Sequence, residues 1–268
     1  MNQIIFNGKQ VNKNEVSIGI DNRAFRYGDA IFETMYIENG GIRFLSKHLQ
    51  RLREGMTEMK MEIPSEFEDY SSIINQFLNS NQLESGMLRW QVWRVAGGKY
   101  TPQFQETECI IEYQELPPVE EVKLGISNSS TVSYSSISRF KTSNALPYVL
   151  AGIEMKSSEY NDIILLNNQG HITECIASNI FWSNNKHIYT SSLSTGCVEG
   201  IMRNHVIEEL KKEGVPLKIG EYGIEYFLDI QKAFITNSRG IFAVSVLGEL
   251  SLNDNLNLPD SLEILRVL

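Results

Sequence analysis

One proline-rich and charged stretch, residues 114–121, divides the chain into two parts that each contain β-prone and helical segments. Domain boundaries commonly fall in such stretches, because few contacts cross them. The length of 268 residues is enough for one large domain or two smaller ones. We therefore place the domain boundary in this stretch and predict domains at residues 1–117 and 118–268.

The first part has the periodicity of a sheet with helices. Asn7-Gly8 separates two short β-prone runs, which favours a hairpin. Ser46 lies at the start of an apolar stripe with helical spacing and is expected to be the N-cap of that helix. Further segments are predicted as strands over residues 30–37, 87–95 and 109–113 and as a second helix over residues 66–78.

The second part is predicted to hold a larger sheet and two helices. Asn144 is expected to cap a helix that runs to Ser158, with Pro147 tolerated in its first turn. Another helix is expected to begin at Gly200 and to stop at Gly214. The predicted strands lie near residues 122–127, 132–137, 162–166, 172–175, 180–182, 187–190, 233–236 and 242–247.

Charge and cysteine content argue against several classes of protein. The net charge of −9 leaves no broad basic surface, which argues against nucleic acid or an anionic membrane as a partner. The 3 cysteines form no CxxC pair, so we expect buried free thiols in a reducing compartment and no metal site. The N-terminus has no cationic segment before an apolar run, and no apolar run approaches the ~20 residues of a membrane span. We therefore predict a cytoplasmic protein.

Lys141 and Glu174 are the first pair of residues that could do chemistry together. Lys141 ends a short extended segment, with Phe140 before it and the small, polar Thr142-Ser143 after it. A lysine in a cleft can lose its proton through desolvation and a nearby cation, and then act as a nucleophile. Glu174 lies on a strand that is otherwise rich in apolar residues. Such a pair suits pyridoxal phosphate (PLP), which needs an amine for its aldehyde and an anion for its pyridine nitrogen. A solvated lysine and an outward-facing carboxylate are the alternatives.

Three further segments could bind a phosphate. A helix that begins at Gly200 offers free backbone N–H groups and the positive end of a dipole. Residues 235–240 read Ile-Thr-Asn-Ser-Arg-Gly and offer hydroxyl, amide and backbone donors. Arg51 lies beside the apolar stripe of the first helix and could clamp a phosphate from there. The alternatives are an ordinary glycine helix start, a polar turn and a solvated arginine.

A set of short motifs, in a fixed order, covers nearly the whole chain. The motifs are Phe25-Arg26-Tyr27-Gly28-Asp29-Ala30-Ile31-Phe32-Glu33-Thr34, His48-Leu49-Gln50-Arg51-Leu52, Lys141, Thr173-Glu174-x-x-x-Ser178-Asn179-Ile180-Phe181, Gly200-Ile201-Met202-Arg203 and Asn237-Ser238. Together they resemble the class IV aminotransferase family, the PLP enzymes of fold type IV. That family includes branched-chain aminotransferases, D-amino acid aminotransferases and 4-amino-4-deoxychorismate lyases.

The resemblance implies an architecture, a cofactor and a set of site residues. The fold would be α/β (α+β), with a smaller N-terminal domain and a larger C-terminal domain and the cofactor in the cleft, often as a homodimer. The cofactor would be pyridoxal 5'-phosphate, with Lys141 as the catalytic residue that bonds to its aldehyde and Glu174 on its pyridine nitrogen. The other residues implied to bind the cofactor are Arg51, Ser178, Asn179, Gly200, Ile201, Met202, Asn237 and Ser238.

The motifs favour one branch of the family. Branched-chain enzymes have a tyrosine in a K-x-G-G-N-Y pattern, but Asn144 follows Lys141 by three residues here and Ala145 replaces the tyrosine. The strand and loop before residue 101 resemble those of the lyases, with a lysine in place of an arginine. We therefore expect a lyase of folate synthesis that forms 4-aminobenzoate and pyruvate from a small-molecule substrate. A transaminase of a D-amino or branched-chain amino acid with 2-oxoglutarate, or a PLP-binding protein without turnover, are the alternatives. The expected substrate contacts are Phe32, Thr34, Arg94, Lys99 and Tyr100.

Overall fold

The computed structural model describes residues 1–184 and 186–267, and the chain divides into two compact units. The first unit comprises Met1–Pro117 with Phe140–Asn144, and the second comprises Pro118–Arg139 with Ala145–Leu268. A boundary after residue 117 alone would assign Phe140–Asn144 to the second domain. This segment lies in the first unit because its backbone is hydrogen-bonded to that unit's sheet.

The first unit is a six-stranded antiparallel sheet with three α-helices. Its elements are β1 (Gln3–Phe6), β2 (Lys9–Asn12), α1 (Arg23–Tyr27), β3 (Ala30–Glu38), β4 (Gly41–Ile42), α2 (Leu45–Glu58), α3 (Tyr70–Ser80), β5 (Ser85–Arg94) and β6 (Thr107–Gln114). The strand order is β2-β1-β6-β5-β3-β4. The predicted hairpin is confirmed, because β1 and β2 pair antiparallel across Asn7 and Gly8, both of which have positive φ.

Two predicted helix starts in the first unit differ from the structure. Phe44 adopts a left-handed conformation (φ 57°, ψ 33°) directly before α2, and no side chain caps this helix. Ser46 therefore lies inside the first turn, where its hydroxyl cannot act as the N-cap, and the predicted cap is wrong. Ser65–Asp69 form a 3₁₀-helix, so the helix predicted over residues 66–78 is confirmed only from Tyr70 onward.

The second unit is a nine-stranded mixed sheet with three α-helices. Its elements are β7 (Val122–Val132), α4 (Leu146–Lys156), β8 (Asp162–Asn167), β9 (Ile172–Cys175), β10 (Asn179–Ser183), β11 (Ile188–Ser191), α5 (Ile201–Lys212), β12 (Leu217–Gly220), β13 (Lys232–Asn237), β14 (Gly240–Leu247), β15 (Leu250–Ser251) and α6 (Asp260–Glu263). The strand order is β12-β11-β10-β13-β14-β7-β8-β9, and β15 pairs with β14. Strand β7 is parallel to both of its neighbours, β14 and β8.

The strand predicted over residues 132–137 is wrong. The chain leaves β7 after Val132 and turns, with Ser138 N–H donating to the Ser135 carbonyl at 3.2 Å. The Ser138 hydroxyl also donates to that carbonyl at 3.0 Å. Serine side chains compete in this way with the backbone pairing of a strand, so the apolar alternation of this segment does not lead to a strand.

The predicted N-cap of α4 is also wrong. Ala145 holds the N-cap position and no side chain caps the helix, which begins at Leu146. The Asn144 side chain instead lies against Gly28, where a Cβ atom would be 2.7 Å from Asn144 Oδ1. Pro147 lies in the first turn of the helix, as expected.

The described residues include no helix that is long and apolar enough to span a membrane. In the same ranges, no three His, Cys, Asp or Glu side chains are arranged to hold a metal ion. Cys109, Cys175 and Cys197 are free and buried, which confirms the prediction of buried thiols.

Candidate active site

The segment Phe140–Asn144 extends the first unit's sheet along the start of β3. The Lys141 carbonyl accepts a hydrogen bond from the Phe32 N–H at 2.8 Å. The Ser143 N–H donates to the Ala30 carbonyl at 2.9 Å. These two bonds fix the backbone that directly follows the Lys141 Cα atom, so the sheet determines where the Lys141 side chain begins.

Lys141 lies over an aromatic ring that a second cation also contacts. Its Nζ is 5.0 Å from the centroid of the Phe32 ring, and Arg89 Cζ is 3.8 Å from the same centroid. Arg89 donates to Gln91 Oε1 at 3.3 Å, and Gln91 Nε2 donates to Ser143 Oγ at 3.2 Å. Burial lowers the pKa of the Arg89 guanidinium, so an anion bound there would offset part of its desolvation. Lys141 and Arg89 therefore both contact the Phe32 ring.

Sequence analysis does not identify Arg89 and Gln91 as site residues. On β5 they lie opposite Thr34 and Phe32 of β3, two of the predicted substrate contacts. Because alternate strand residues share a face, the correct pairing of these two predicted strands would have pointed to both. The alternation within each strand is visible in the sequence, but the register of β3 with β5 is not.

The remaining predicted substrate residues separate into one buried and two exposed side chains. Arg94 is 5% exposed, and its guanidinium donates to the Asp29 carboxylate and to two carbonyls at the end of α2. Lys99 is exposed, and Tyr100 is 90% exposed. The contacts of Arg94 argue against a direct role in binding substrate and leave Lys99 and Tyr100 as candidates.

Arg51 belongs to a buried ion-pair network. Its Nε and Nη2 donate to the two carboxylate oxygens of Glu33 at 2.8 and 2.6 Å. His48 Nδ1 lies 2.7 Å from Glu33 Oε2. Burial acts to raise the pKa of Glu33, but the charge of Arg51 and the hydrogen bonds from His48 and Arg51 outweigh it and lower the pKa to about 2. The bidentate pair fixes the plane of the Arg51 guanidinium.

We expect this network to make stability depend on pH below pH 5. The folded-state pKa of Glu33, about 2, lies below its ordinary value of 4.5, so its contribution is complete above pH 4.5 and is lost as pH falls through 2. Linkage gives a loss of about 3 kcal/mol in the free energy of unfolding over that window. Urea unfolding at a series of pH values should show a shallower acid slope for Glu33→Gln than for wild type. Glu58→Gln, an exposed change on α2, is the control, and equal slopes for wild type and Glu33→Gln would contradict the assignment.

Glu174 is a buried carboxylate on β9 of the second unit. It is 4% exposed, so the outward-facing alternative is wrong. The Tyr148 hydroxyl donates to Glu174 Oε1 at 2.7 Å, and the Val198 N–H and Asn179 Nδ2 donate to Oε2 at 3.0 and 3.2 Å. Burial, then the negative charge of Glu174, raises the pKa of Tyr148, so this phenol remains a donor. These three donors stabilise the ionised form of the carboxyl group.

The start of α5 lies beside the Glu174 network. Gly200 is the N-cap residue, and no side chain caps this end, so the first N–H groups of the helix have no partner within it. A Cβ atom at Gly200 would lie 2.1 Å from Asn179 Oδ1, so only glycine fits this close approach. Asn179 Nδ2 also donates to the Val198 carbonyl at 2.8 Å. Asn179 therefore joins the carboxylate to the helix terminus.

Strands β10 and β13 bring a further set of polar groups close to Asn179. Asn179 pairs with Thr236, and Asn237 Nδ2 donates to Ser178 Oγ at 3.3 Å. The Thr236 hydroxyl is buried and has no hydrogen-bond partner within the described ranges. Ser238 follows in the turn and is half-buried. A buried hydroxyl without a partner requires a ligand or water to satisfy it.

These observations test whether the second unit fits a phosphate. Its unpaired hydroxyl and its uncapped glycine helix start both adjoin Asn179, and both offer donors. Backbone N–H groups and hydroxyls at a helix N-terminus are the groups that bind phosphate in proteins. The residues present therefore fit a phosphate-bearing ligand. Thr236 lies in the segment 235–240 that is predicted to offer phosphate donors, but the sequence assigns no role to Tyr148, because the burial of a single hydroxyl has no signal in the sequence.

Comparison with known proteins assigns the chain to a family. A sequence model described as "Amino-transferase class IV" matches residues 30–247. An aminodeoxychorismate lyase of Bacillus subtilis is 27% identical, with 88% of this chain and 83% of that protein covered. A protein of the same name from Vibrio harveyi is 24% identical, with 86% and 88% covered. A D-alanine aminotransferase of Bacillus licheniformis is 24% identical, with 88% and 84% covered.

The fold is also that of solved structures. The crystal structure of a putative 4-amino-4-deoxychorismate lyase from Legionella pneumophila superimposes with a TM-score of 0.87 at 22% identity. The similarity covers 94% of this chain and 95% of that one. The predicted fold class, a mixed α/β architecture of fold type IV, is thereby confirmed. The chain belongs to the class IV aminotransferase family.

Proposed function

We propose that this chain is a PLP-dependent aminodeoxychorismate lyase, which forms 4-aminobenzoate and pyruvate. One structural observation carries the proposal: Lys141 is anchored on β3 with its amine over the Phe32 ring, and the Arg89 guanidinium contacts the same ring. An amine can move protons, and a fixed guanidinium can hold a carboxylate of the substrate. The lyases among the relatives of this chain support the same reading.

The cofactor in this proposal is pyridoxal 5'-phosphate. When bound, it accepts the electron pair left on the substrate carbon. Lys141 would bond to its aldehyde, and Glu174 would hold the proton on its pyridine nitrogen. The residues proposed to bind its phosphate are Arg51, the N–H groups of Ile201 and Met202 after Gly200, and the side chains of Ser178, Thr236, Asn237 and Ser238. Asn179 is proposed to act beside them through its bonds to Glu174 and to the Val198 carbonyl.

Lys141 has two tasks in the proposed reaction. With substrate bound, Nζ would accept the proton from the amine-bearing carbon of the substrate, and it would later donate that proton to the departing group, which becomes pyruvate. Phe32 and the backbone bonds to β3 limit where Nζ can reach. Thr34, Lys99 and Tyr100 are proposed to contact the substrate, which carries two carboxylates and therefore suits two cations, Arg89 and Lys99.

Arg89→Gln should raise the KM for aminodeoxychorismate about tenfold and change kcat little, because it removes one charge-assisted bond to a carboxylate. Steady-state pyruvate release measures both constants. Arg53→Gln is the control, since Arg53 lies on α2 and pairs with Glu68. An unchanged KM for Arg89→Gln would show that Arg89 does not hold the substrate.

A transaminase is the second candidate, because D-alanine aminotransferases also match the chain at 24% identity. Purified enzyme should be given aminodeoxychorismate alone, and separately D-alanine or leucine with 2-oxoglutarate. We expect pyruvate in the first assay without any added oxo-acid. A much higher specificity constant for glutamate formation in the other assays would replace the lyase with a transaminase.

The proposal includes a cytoplasmic enzyme that assembles as a homodimer. Four apolar side chains of α4 are exposed at positions with helical spacing, namely Leu146 (66%), Val149 (53%), Leu150 (46%) and Ile153 (60%). Such a stripe on a surface helix is typical of an interface, and a second copy would present the same stripe across a two-fold axis.

Val149→Asp combined with Ile153→Asp should convert this dimer to a monomer, because the partner would then bury two unpaired charges. Sedimentation velocity measures the change in mass. Val119→Asp, an exposed change outside any helix or strand, should leave the dimer intact. A monomeric wild type, or a dimer unaffected by the double substitution, would contradict this interface.

A further inference from the structure

A partly buried carboxylate in the first unit, that of Asp29, is shared by two arginines. Arg23 Nε donates to Asp29 Oδ2 at 2.7 Å, and Arg94 Nε donates to the same oxygen at 3.0 Å. The residues Arg23 and Arg94 are 3% and 5% exposed. We call Arg23, Asp29 and Arg94 the arginine–aspartate cluster. Its two cations are buried and its anion is partly buried, and charge-assisted bonds of this kind are the strong ones.

The two arginines bind different parts of the unit. Arg94 donates to carbonyls at the end of α2, at 2.9 and 2.8 Å. Arg23 Nη1 instead donates to the carbonyls of Gly97 and Lys99, at 2.9 and 2.7 Å. Arg94 therefore anchors a helix, whereas these two bonds of Arg23 anchor the start of the loop over residues 97–104.

That loop is tightly built at its base and exposed at its tip. Gly98 has φ 72°, and a Cβ atom there would lie 2.2 Å from the Thr101 carbonyl, so only glycine allows the turn. Tyr100 is 90% exposed and Lys99 is exposed. The loop tip therefore gains little from core packing, and Arg23 holds it through the backbone.

The same cluster is connected to the Lys141 segment. Asp29 is followed directly by Ala30, whose carbonyl accepts the hydrogen bond of Ser143 N–H at 2.9 Å. The consecutive residues Asp29 and Ala30 are thus connected to two segments. Asp29 is connected to the loop through Arg23, and Ala30 is connected to the lysine segment through its backbone carbonyl. A change in one attachment would alter the distance between the loop and Lys141.

We propose that Arg23 is a positioning residue for substrate recognition, which holds the 97–104 loop so that Lys99 and Tyr100 meet a carboxylate of the substrate at a fixed distance from Lys141. This inference rests on the proposed function for the identity of the substrate. The anchoring itself does not depend on it. Arg23 has no proposed contact with the substrate or the cofactor, and it acts only through the loop.

Arg23→Met is the variant that tests the proposal. Methionine keeps much of the apolar stem, and Asp29 keeps its bond to Arg94, so its carboxylate is not left without a partner. We expect the KM for aminodeoxychorismate to rise about tenfold with kcat changed less than about twofold, the size expected for losing one charge-assisted bond. Trypsin should cleave after Lys99 faster than in wild type, because the loop opens more often.

Two further variants separate positioning from a general loss of structure. Arg26→Met lies on the same helix but is exposed, and it should change neither KM nor cleavage. Arg23→Lys keeps a cation beside Asp29 but lacks the planar group that bonds the carboxylate and the loop carbonyls together, so its KM should lie between those of wild type and Arg23→Met. All variants are compared as PLP-loaded enzyme, with thermal unfolding as a check of folding.

The outcomes distinguish this inference from the proposed function. Faster cleavage with a raised KM supports it. Cleavage of Arg23→Met no faster than that of Arg26→Met, or faster cleavage with an unchanged KM, overturns it. If wild type releases no pyruvate from aminodeoxychorismate, the lyase proposal fails, and the KM comparison is then made with D-alanine and 2-oxoglutarate by the same criteria.

Discussion

Lys141→Ala is expected to lower pyruvate release from aminodeoxychorismate by about a thousandfold or more. A positioned acid–base group contributes about 10²–10⁴ to a rate, and Lys141 is proposed to act in two successive proton transfers. The variant should still fold, because the segment is held by backbone bonds of Lys141 and Ser143 that alanine retains. Single-turnover measurement of pyruvate would determine the loss.

The same residue should be the point at which the cofactor is fixed to the protein. Borohydride reduction of the wild-type holoenzyme, followed by peptide mapping, should find the adduct on Lys141, and Lys141→Ala should give none. Lys156→Ala is the matched control, since Lys156 is an exposed lysine at the end of α4. An adduct on Lys123 or Lys156 in wild type would overturn the assignment of the nucleophile.

Glu174→Gln is expected to retain the cofactor and to lose activity by about a hundredfold or more. Loss of one preorganised electrostatic contact in an active site typically costs about 10²–10³ in kcat. A neutral amide cannot hold the pyridine proton as a carboxylate does. The amide also offers one acceptor oxygen, whereas three donors now converge on the two oxygens of Glu174.

Tyr148→Phe distinguishes the effect of the negative charge of Glu174 from the effect of a hydrogen bond that holds its carboxylate in place. This change removes a single donor, at 2.7 Å from Oε1, and leaves the carboxylate with the Val198 and Asn179 donors. We expect a loss of activity well below that of Glu174→Gln. The absorbance of bound cofactor, recorded with kcat, shows whether occupancy or chemistry has changed. A glutamine variant that is fully active with cofactor bound would remove Glu174 from the proposed mechanism.

The periodicity of apolar residues predicted most strands of the two sheets, because the alternation of buried and exposed positions can be recognised within a single strand. The strands predicted near residues 162–166, 172–175, 233–236 and 242–247 all occur in the structure. Caps were predicted less well. Ser46 and Asn144 have suitable side chains, but the left-handed Phe44 and the packing of Asn144 against Gly28 move both helix starts.

The candidate site could be predicted only in part, because strand register and burial depend on contacts between segments that are distant in the sequence. Lys141 and Glu174 lie in recognisable motifs, and the fold accommodates both as anchored residues. Arg89 depends on the register of β3 with β5, and that register is set by cross-strand packing over the whole pair. The sequence alone also could not show which of the strand arginines Arg94 and Arg89 is available to a ligand. Arg94 is buried and bonded to Asp29, and this difference appears only in the structure.

The chain's return to the first unit at Phe140–Asn144 has a consequence for synthesis on the ribosome. Residues 1–117 emerge first, but β3 then still lacks the partners of the Phe32 N–H and the Ala30 carbonyl, which Lys141 and Ser143 supply. Unpaired edge groups of this kind invite pairing with other chains. The first unit can therefore close that edge only after more than twenty further residues of the second have been made, and Lys141 reaches the first unit in the same step.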